Sequence, residues 1–188
     1  MTVAIPNWNS QGLLPPVDPA APTSAERSPY AVSLKDVVMR FATTPARHSV
    51  MNGFLDYRAT LHSTGLLDGF QWLDGSFMED VETLESRPPN DIDIVTFLYS
   101  SQFNPGNLDP LTLMNPASKT QFKVDAYFVE LDVTPPHELT LLSAYWYSVW
   151  SHRRNDVWKG YLQVDLAPNE DADAIAWLNQ SRPAGAGP

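Results

Sequence analysis

Pro89-Asn90-Asp91-Ile92-Asp93-Ile94-Val95-Thr96-Phe97-Leu98 is an apolar run, rich in β-branched residues, with two acids at its start. Its composition and length predict a strand over residues 91–99, buried on both faces beyond the second acid. Side chains alternate along a strand, so Asp91 and Asp93, two apart, project from the same face. Two carboxylates so placed are an oxygen-donor pair suited to a divalent cation. The competing assignment is a solvated edge whose acids discourage edge-to-edge pairing. The apolar neighbours of both acids favour the ligand role.

Upstream, Gln71-Trp72-Leu73-Asp74-Gly75-Ser76-Phe77 reads as a strand over 69–73 followed by a turn with a helical start over 75–81. Gly75 lets the backbone approach a ligand closely, while Ser76 and the first N–H groups of the helical turn can face an anion such as a phosphate. An ordinary helix cap explains the same pair and is compatible with that role. Downstream, Phe122-Lys123-Val124-Asp125-Ala126-Tyr127-Phe128 opens a strand over 123–131, with Val124, Ala126 and Phe128 opposite Asp125, Tyr127 and Val129. Asp125 is thus a third acid placed to meet the first two at one sheet edge. Three carboxylates suit Mg²⁺ or Mn²⁺.

The remaining elements follow from caps and periodicity. Ser33 caps a short helix over Leu34, Val37, Val38 and Phe41. Thr44-Pro45 starts a longer one carrying Val50, Phe54, Tyr57 and Leu61, with Gly65 placed to end it. Pro135-Pro136 opens a helix through Leu139, Leu142, Tyr145, Trp146 and Val149; 159–166 is a last strand and 171–178 a closing helix. The expected fold class is α+β, a small mixed β-sheet flanked by helices. One domain over 31–181 is expected between an extended Pro-rich arm, 1–30, and a disordered tail, 182–188. Trp8, Leu13 and Leu14 are the arm residues fit to pin it to the body, leaving 18–28 as its flexible part.

The formal net charge of −10 excludes a protein that binds duplex DNA through bulk charge. With no cysteine, disulfides, thiolate zinc sites and thiol nucleophiles are excluded as well. The start lacks the basic and apolar regions of a secretion signal, and no run reaches membrane-spanning length, so a cytoplasmic protein with no membrane contact is expected. His48, His62 and His137 lack ligand spacing and are expected to be structural or exposed. Basic residues concentrate in Ser151-His152-Arg153-Arg154-Asn155-Asp156-Val157-Trp158-Lys159-Gly160. They complement the dipole of the preceding helix, or one of Arg153, Arg154 and Lys159 contacts substrate phosphates. Trp158 belongs to the core or stacks on a base.

At Gly75-Ser76, Asp91-Ile92-Asp93 and Asp125 the chain resembles the nucleotidyltransferase superfamily. That superfamily includes DNA polymerase β, the CCA-adding enzymes, small nucleotidyltransferase antitoxins and the cyclic-oligonucleotide synthases. It is also similar to small bacterial nucleotidyltransferase-like proteins with a Gly-Ser-Phe-x-Glu-Asp and Pro-Asn-Asp-Ile-Asp pattern, matched by residues 75–80 and 89–93. The resemblance implies a nucleotidyltransferase-like fold and Mg²⁺- or Mn²⁺-dependent transfer of a nucleoside monophosphate from a nucleoside triphosphate to a hydroxyl of a protein, RNA or small molecule. It implies Asp91, Asp93 and Asp125 as metal ligands and catalytic residues, and Gly75 and Ser76, with Arg153 or Lys159, as nucleotide-binding residues. Where many small members carry a basic residue and a further Gly, this chain has Phe77-Met78-Glu79-Asp80, and its spacer over 77–90 is longer. These departures favour the alternative of a catalytically inactive nucleotidyltransferase-fold partner, antitoxin-like or a phage-defence regulator, with an operon-encoded protein to bind. The acid triad opposes it.

Overall fold

Ser33 accepts a hydrogen bond from the Asp36 amide and Thr44 from the Arg47 amide, so both helix starts are capped as their sequences require. In this computed structural model, which describes residues 2–182, these helices are α1 (Leu34–Phe41) and α2 (Pro45–Ser63). They follow a two-residue strand, β1 (Tyr30–Ala31), and precede β2 (Gly69–Asp74), α3 (Val81–Glu85) and β3 (Ile92–Leu98). The chain continues through α4 (Ala117–Phe122), β4 (Val124–Glu130), α5 (Pro136–Trp150), β5 (Leu162–Asp165) and α6 (Asp171–Gln180). Beyond Arg182 the expected disordered tail lies outside the described residues.

The fold is α+β around one mixed five-stranded sheet in the order β1-β5-β2-β3-β4. β2 runs antiparallel to both β3 and β5, whereas β1 is parallel to β5 and β3 to β4. Alternation along the strands sorts the sheet into two faces. Leu73, Ile92, Ile94, Val124, Ala126, Leu162 and Val164 join the main core under α1, α2 and α6. Trp72, Val95, Phe97 and Val129 take the other face, where Trp146 and Trp150 of α5 cover them. The buried Trp72 indole still donates to Gln163 Oε1 at 2.9 Å, as a buried N–H must. α5 covers this face only in part, and the end of the sheet left open is where the acids lie.

Two elements carry no sequence signal. β1 is too short to show alternation and exists through amide bonds of Tyr30 to the Tyr161 carbonyl and of Val32 to the Gln163 carbonyl. α4 is six residues long after Asn115-Pro116 and ends on Lys123 at φ 58°, too brief for a helical period. The arm packs against the body: Leu13 and Leu14 are buried, the Trp8 indole donates to the Met78 carbonyl, and Arg40 lies 4.3 Å over the Trp8 ring. Residues 18–23 and 25–27 are exposed. Among the described residues no helix is long and apolar enough to cross a membrane.

Candidate active site

Strand register brings the acids together. Antiparallel pairing sets Asp74 of β2 opposite Asp93 of β3, and parallel pairing sets Asp93 opposite Asp125 of β4. Neighbouring strands lie about 4.8 Å apart, so three carboxylates form a row across the sheet. They share the phase of Trp72, Val95 and Val129 and therefore face the α5 side. Asp91 stands two residues before Asp93, and all four acids line one open cleft of about 890 Å³ with Gly75, Ser76, Lys119 and the aromatic residues of α5. Gly75 is required twice over: its φ is 86°, and a Cβ would stand 2.7 Å from Asp93 Oδ2. The turn after it, Ser76–Met78, is held from α2, where buried Arg47 donates to the Phe77 and Glu79 carbonyls and pairs with Glu82 at 2.7 Å.

Cations answer most of this negative charge. Lys159 is buried, and its Nζ lies 2.8 and 2.9 Å from the two Asp74 oxygens and 3.2 Å from Glu79 Oε1, which satisfies its three donors. Burial resists the Lys159 charge, but Asp74 and Glu79 outweigh it and hold the ammonium above its ordinary pKa. Arg153 Nε lies 3.1 Å from Glu79 Oε2 and its other arm reaches Glu85. Lys119 of α4 sits at the opposite end, 2.6 Å from Asp91 Oδ2 and 3.1 Å from Asp125 Oδ2, while the Asn115 amide donates to Asp125 Oδ1. Asp93, in the middle, has no ion-pair partner among the described residues. Burial, reinforced by Asp74, Asp91 and Asp125, pushes its carboxyl up to about 7.

Residues 6–165 match a family of unknown function, DUF6932. The chain belongs to that family. The DUF6932 span runs from the arm to the end of β5 and so contains the acid row, the Gly75-Ser76 turn and the 152–159 segment; α6 lies beyond it. No curated protein and no solved structure matches the chain.

In this DUF6932 chain the expected residues Gly75, Ser76, Asp91, Asp93, Asp125, Arg153 and Lys159 all border the same cleft. The two basic residues reach the 77–80 loop, but they meet its acid and Asp74 rather than stand free. Arg153 pairs with Glu79 and Glu85, and Arg154 is exposed on the cleft rim. Trp158 is 60% exposed, against the core placement that its aromatic surroundings favoured. His48 and His62 bond to the Leu178 and Leu166 carbonyls, and His137 is exposed.

Asp74 and Lys119 were the residues sequence reasoning missed. The strand expected over 69–73 stops one residue short, since Asp74 shares the phase of Trp72 and directly precedes Gly75-Ser76, which is the available signal. Lys119 had none, since it rides on the undetected α4. An all-oxygen donor set fits Mg²⁺ or Mn²⁺ in chemistry. In geometry, no three His, Cys, Asp or Glu side chains among the described residues are closed around one point. The ammonium of Lys119 holds the place between Asp91 and Asp125.

Proposed function

We propose that this protein is a nucleotidyltransferase-like enzyme that moves a nucleoside monophosphate from a nucleoside triphosphate to a hydroxyl of a protein, RNA or small molecule. The observation that carries this reading is the meeting of Asp91, Asp93 and Asp125 in one cleft with Gly75-Ser76. Asp91, Asp93 and Asp125 would hold Mg²⁺ or Mn²⁺, which when bound offsets the charge carried by the phosphates. Gly75 permits close approach of the triphosphate, and the Ser76 hydroxyl, which bonds to no other group among the described residues, is free to donate to it. Asp125, already oriented by Asn115, positions the attacking hydroxyl and accepts its proton. Tyr127 and Tyr145, packed against Trp146 at tilted and edge-to-face angles with ring centres 4.8 and 5.2 Å away, give the cleft an aromatic wall suited to a base. Lys159 and Arg153 neutralise Glu79, which would otherwise repel a triphosphate.

The test is incubation of the protein with each labelled nucleoside triphosphate and Mg²⁺ or Mn²⁺, with candidate protein and RNA acceptors, beside Asp93→Asn. Label transferred by the parent and not by the variant supports the reading. A second reading, a non-catalytic binding partner of antitoxin or phage-defence type, is favoured by one observation: Asp80 beside the Gly-Ser turn has no ion-pair partner among the described residues. Calorimetry decides between them, because absence of triphosphate binding by the parent selects the second.

A further inference from the structure

The two lysines of the cleft are held differently. Lys159 is buried, all three of its donors are engaged, and it reaches Asp74 at the β5 side of the row. Lys119 stands at the mouth on a six-residue helix, its side chain 47% exposed, and touches the row through Asp91 and Asp125 alone. A four-carbon stem with an exposed path can swing into solvent, whereas Lys159 cannot leave without stranding Asp74 and Glu79 in a buried setting. Asn115 holds the other oxygen of Asp125, so that carboxylate keeps its orientation when Lys119 departs.

We infer that Lys119 exchanges partners: its ammonium is the internal counter-ion of Asp91 and Asp125 in the empty site, and it passes to the substrate phosphates once a divalent cation takes its place. The inference rests on the reading of the cleft as a metal and triphosphate site. An ammonium and a divalent ion cannot share one pair of carboxylates, because their repulsion at contact distance adds to the loss of each other's ligands. Lys119 therefore competes with the metal when the metal arrives alone. Once displaced it remains at the mouth of the same cleft, where a triphosphate brings negative charge that the 77–80 loop offers no free cation to meet. One residue thus opposes the metal and favours the anion, and its removal must shift the two affinities in opposite directions. A lysine with only a packing role gives no such sign reversal, and a charge acting only through space gives a shift that added salt screens away, whereas direct contact with the carboxylates and phosphates persists.

The test measures Mn²⁺ alone by electron paramagnetic resonance and calorimetry, then inorganic tripolyphosphate at saturating Mg²⁺, a probe independent of the donor base. The proteins are the parent, Lys119→Met, Lys119→Gln in case the first fails to fold, Lys119→Arg, and Lys35→Met on α1 as a charge control across the sheet. The expected result is that Lys119→Met or Lys119→Gln binds Mn²⁺ about five- to tenfold more tightly than the parent. The same variants bind Mg²⁺-tripolyphosphate about tenfold more weakly, while Lys119→Arg and Lys35→Met stay close to the parent in both. Parent-like values for either ligand, or a shift of both in one direction, overturn the exchange while the parent's own Mn²⁺ binding keeps the metal reading standing. A parent that binds no Mn²⁺ overturns both.

Discussion

Asp93→Asn probes the one carboxylate of the row that no cation answers. In the metal-free protein its carboxyl is pushed from 3.8 up to about 7 by burial and by Asp74, Asp91 and Asp125. A raised carboxyl means that the folded state keeps a proton the unfolded chain has released, so stability is fully present below about pH 4 and is lost as pH rises through 7. At about 1.4 kcal/mol per tenfold change in proton affinity, the whole difference is worth roughly 4 kcal/mol, of which roughly 2–3 kcal/mol disappears between pH 5 and pH 8. Asparagine is neutral and nearly isosteric, so the variant should lack this loss and exceed the parent in stability at pH 8. Urea unfolding of both proteins with chelator present, at pH 5 and pH 8, measures it; the comparison between proteins cancels the titrating groups outside the row. The same pH slope in parent and variant would refute the account of the row. Asp91→Asn and Asp125→Asn should stabilise less, because each of these carboxylates shares an ion pair with Lys119 that its substitution removes.

Three further outcomes follow from the geometry. Gly75→Ala places a Cβ against Asp93 at a positive φ and should cost about 1–3 kcal/mol, with part of that recovered in an Asp93→Ala background in a double-mutant cycle. Lys159→Met leaves Asp74 and Glu79 buried without their cation and should destabilise by about 3–5 kcal/mol in urea unfolding, less when combined with Asp74→Asn. Arg47→Met removes the donors that fix the 77–82 segment and should cost about 2–4 kcal/mol, with faster amide exchange in that segment by mass spectrometry.

Local chemistry was legible where it was sufficient. Ser33, Thr44 and Pro45 mark helix starts because a cap needs only its own first turn, and the alternation of 123–131 separates Val124 and Ala126 from Asp125 without outside information. That Asp91, Asp93 and Asp125 could share a face was likewise readable from strand phase. What the sequence did not carry is register between strands. Asp74 lies level with Asp93 only because β2 pairs antiparallel with β3, and no local pattern specifies which residues face each other. α4 and β1 are shorter than the periods by which helices and strands are recognised, and the placement of Lys119 depends on α4. The charge of Glu79 looked prohibitive beside Gly75-Ser76 because Lys159 and Arg153, some seventy to eighty residues away, cannot be assigned to it from sequence order.

The arm has a consequence for the order in which the chain assembles. Its contacts join segments far apart in sequence: the Gly160 amide donates to the Leu14 carbonyl, Tyr30 of β1 pairs beside β5, and the Asp80 amide donates to Gly12 on the way. Closing loops of that length precedes any reward from the contacts they allow, so docking of the arm belongs to the late, slow part of folding. Until the segment before β5 is made, the Leu14 carbonyl lacks the Gly160 amide that ties the arm there. The same bonds tie the 77–80 loop and the 152–159 segment to one strip of backbone, so the two walls of the cleft acquire their final spacing together, as the arm closes.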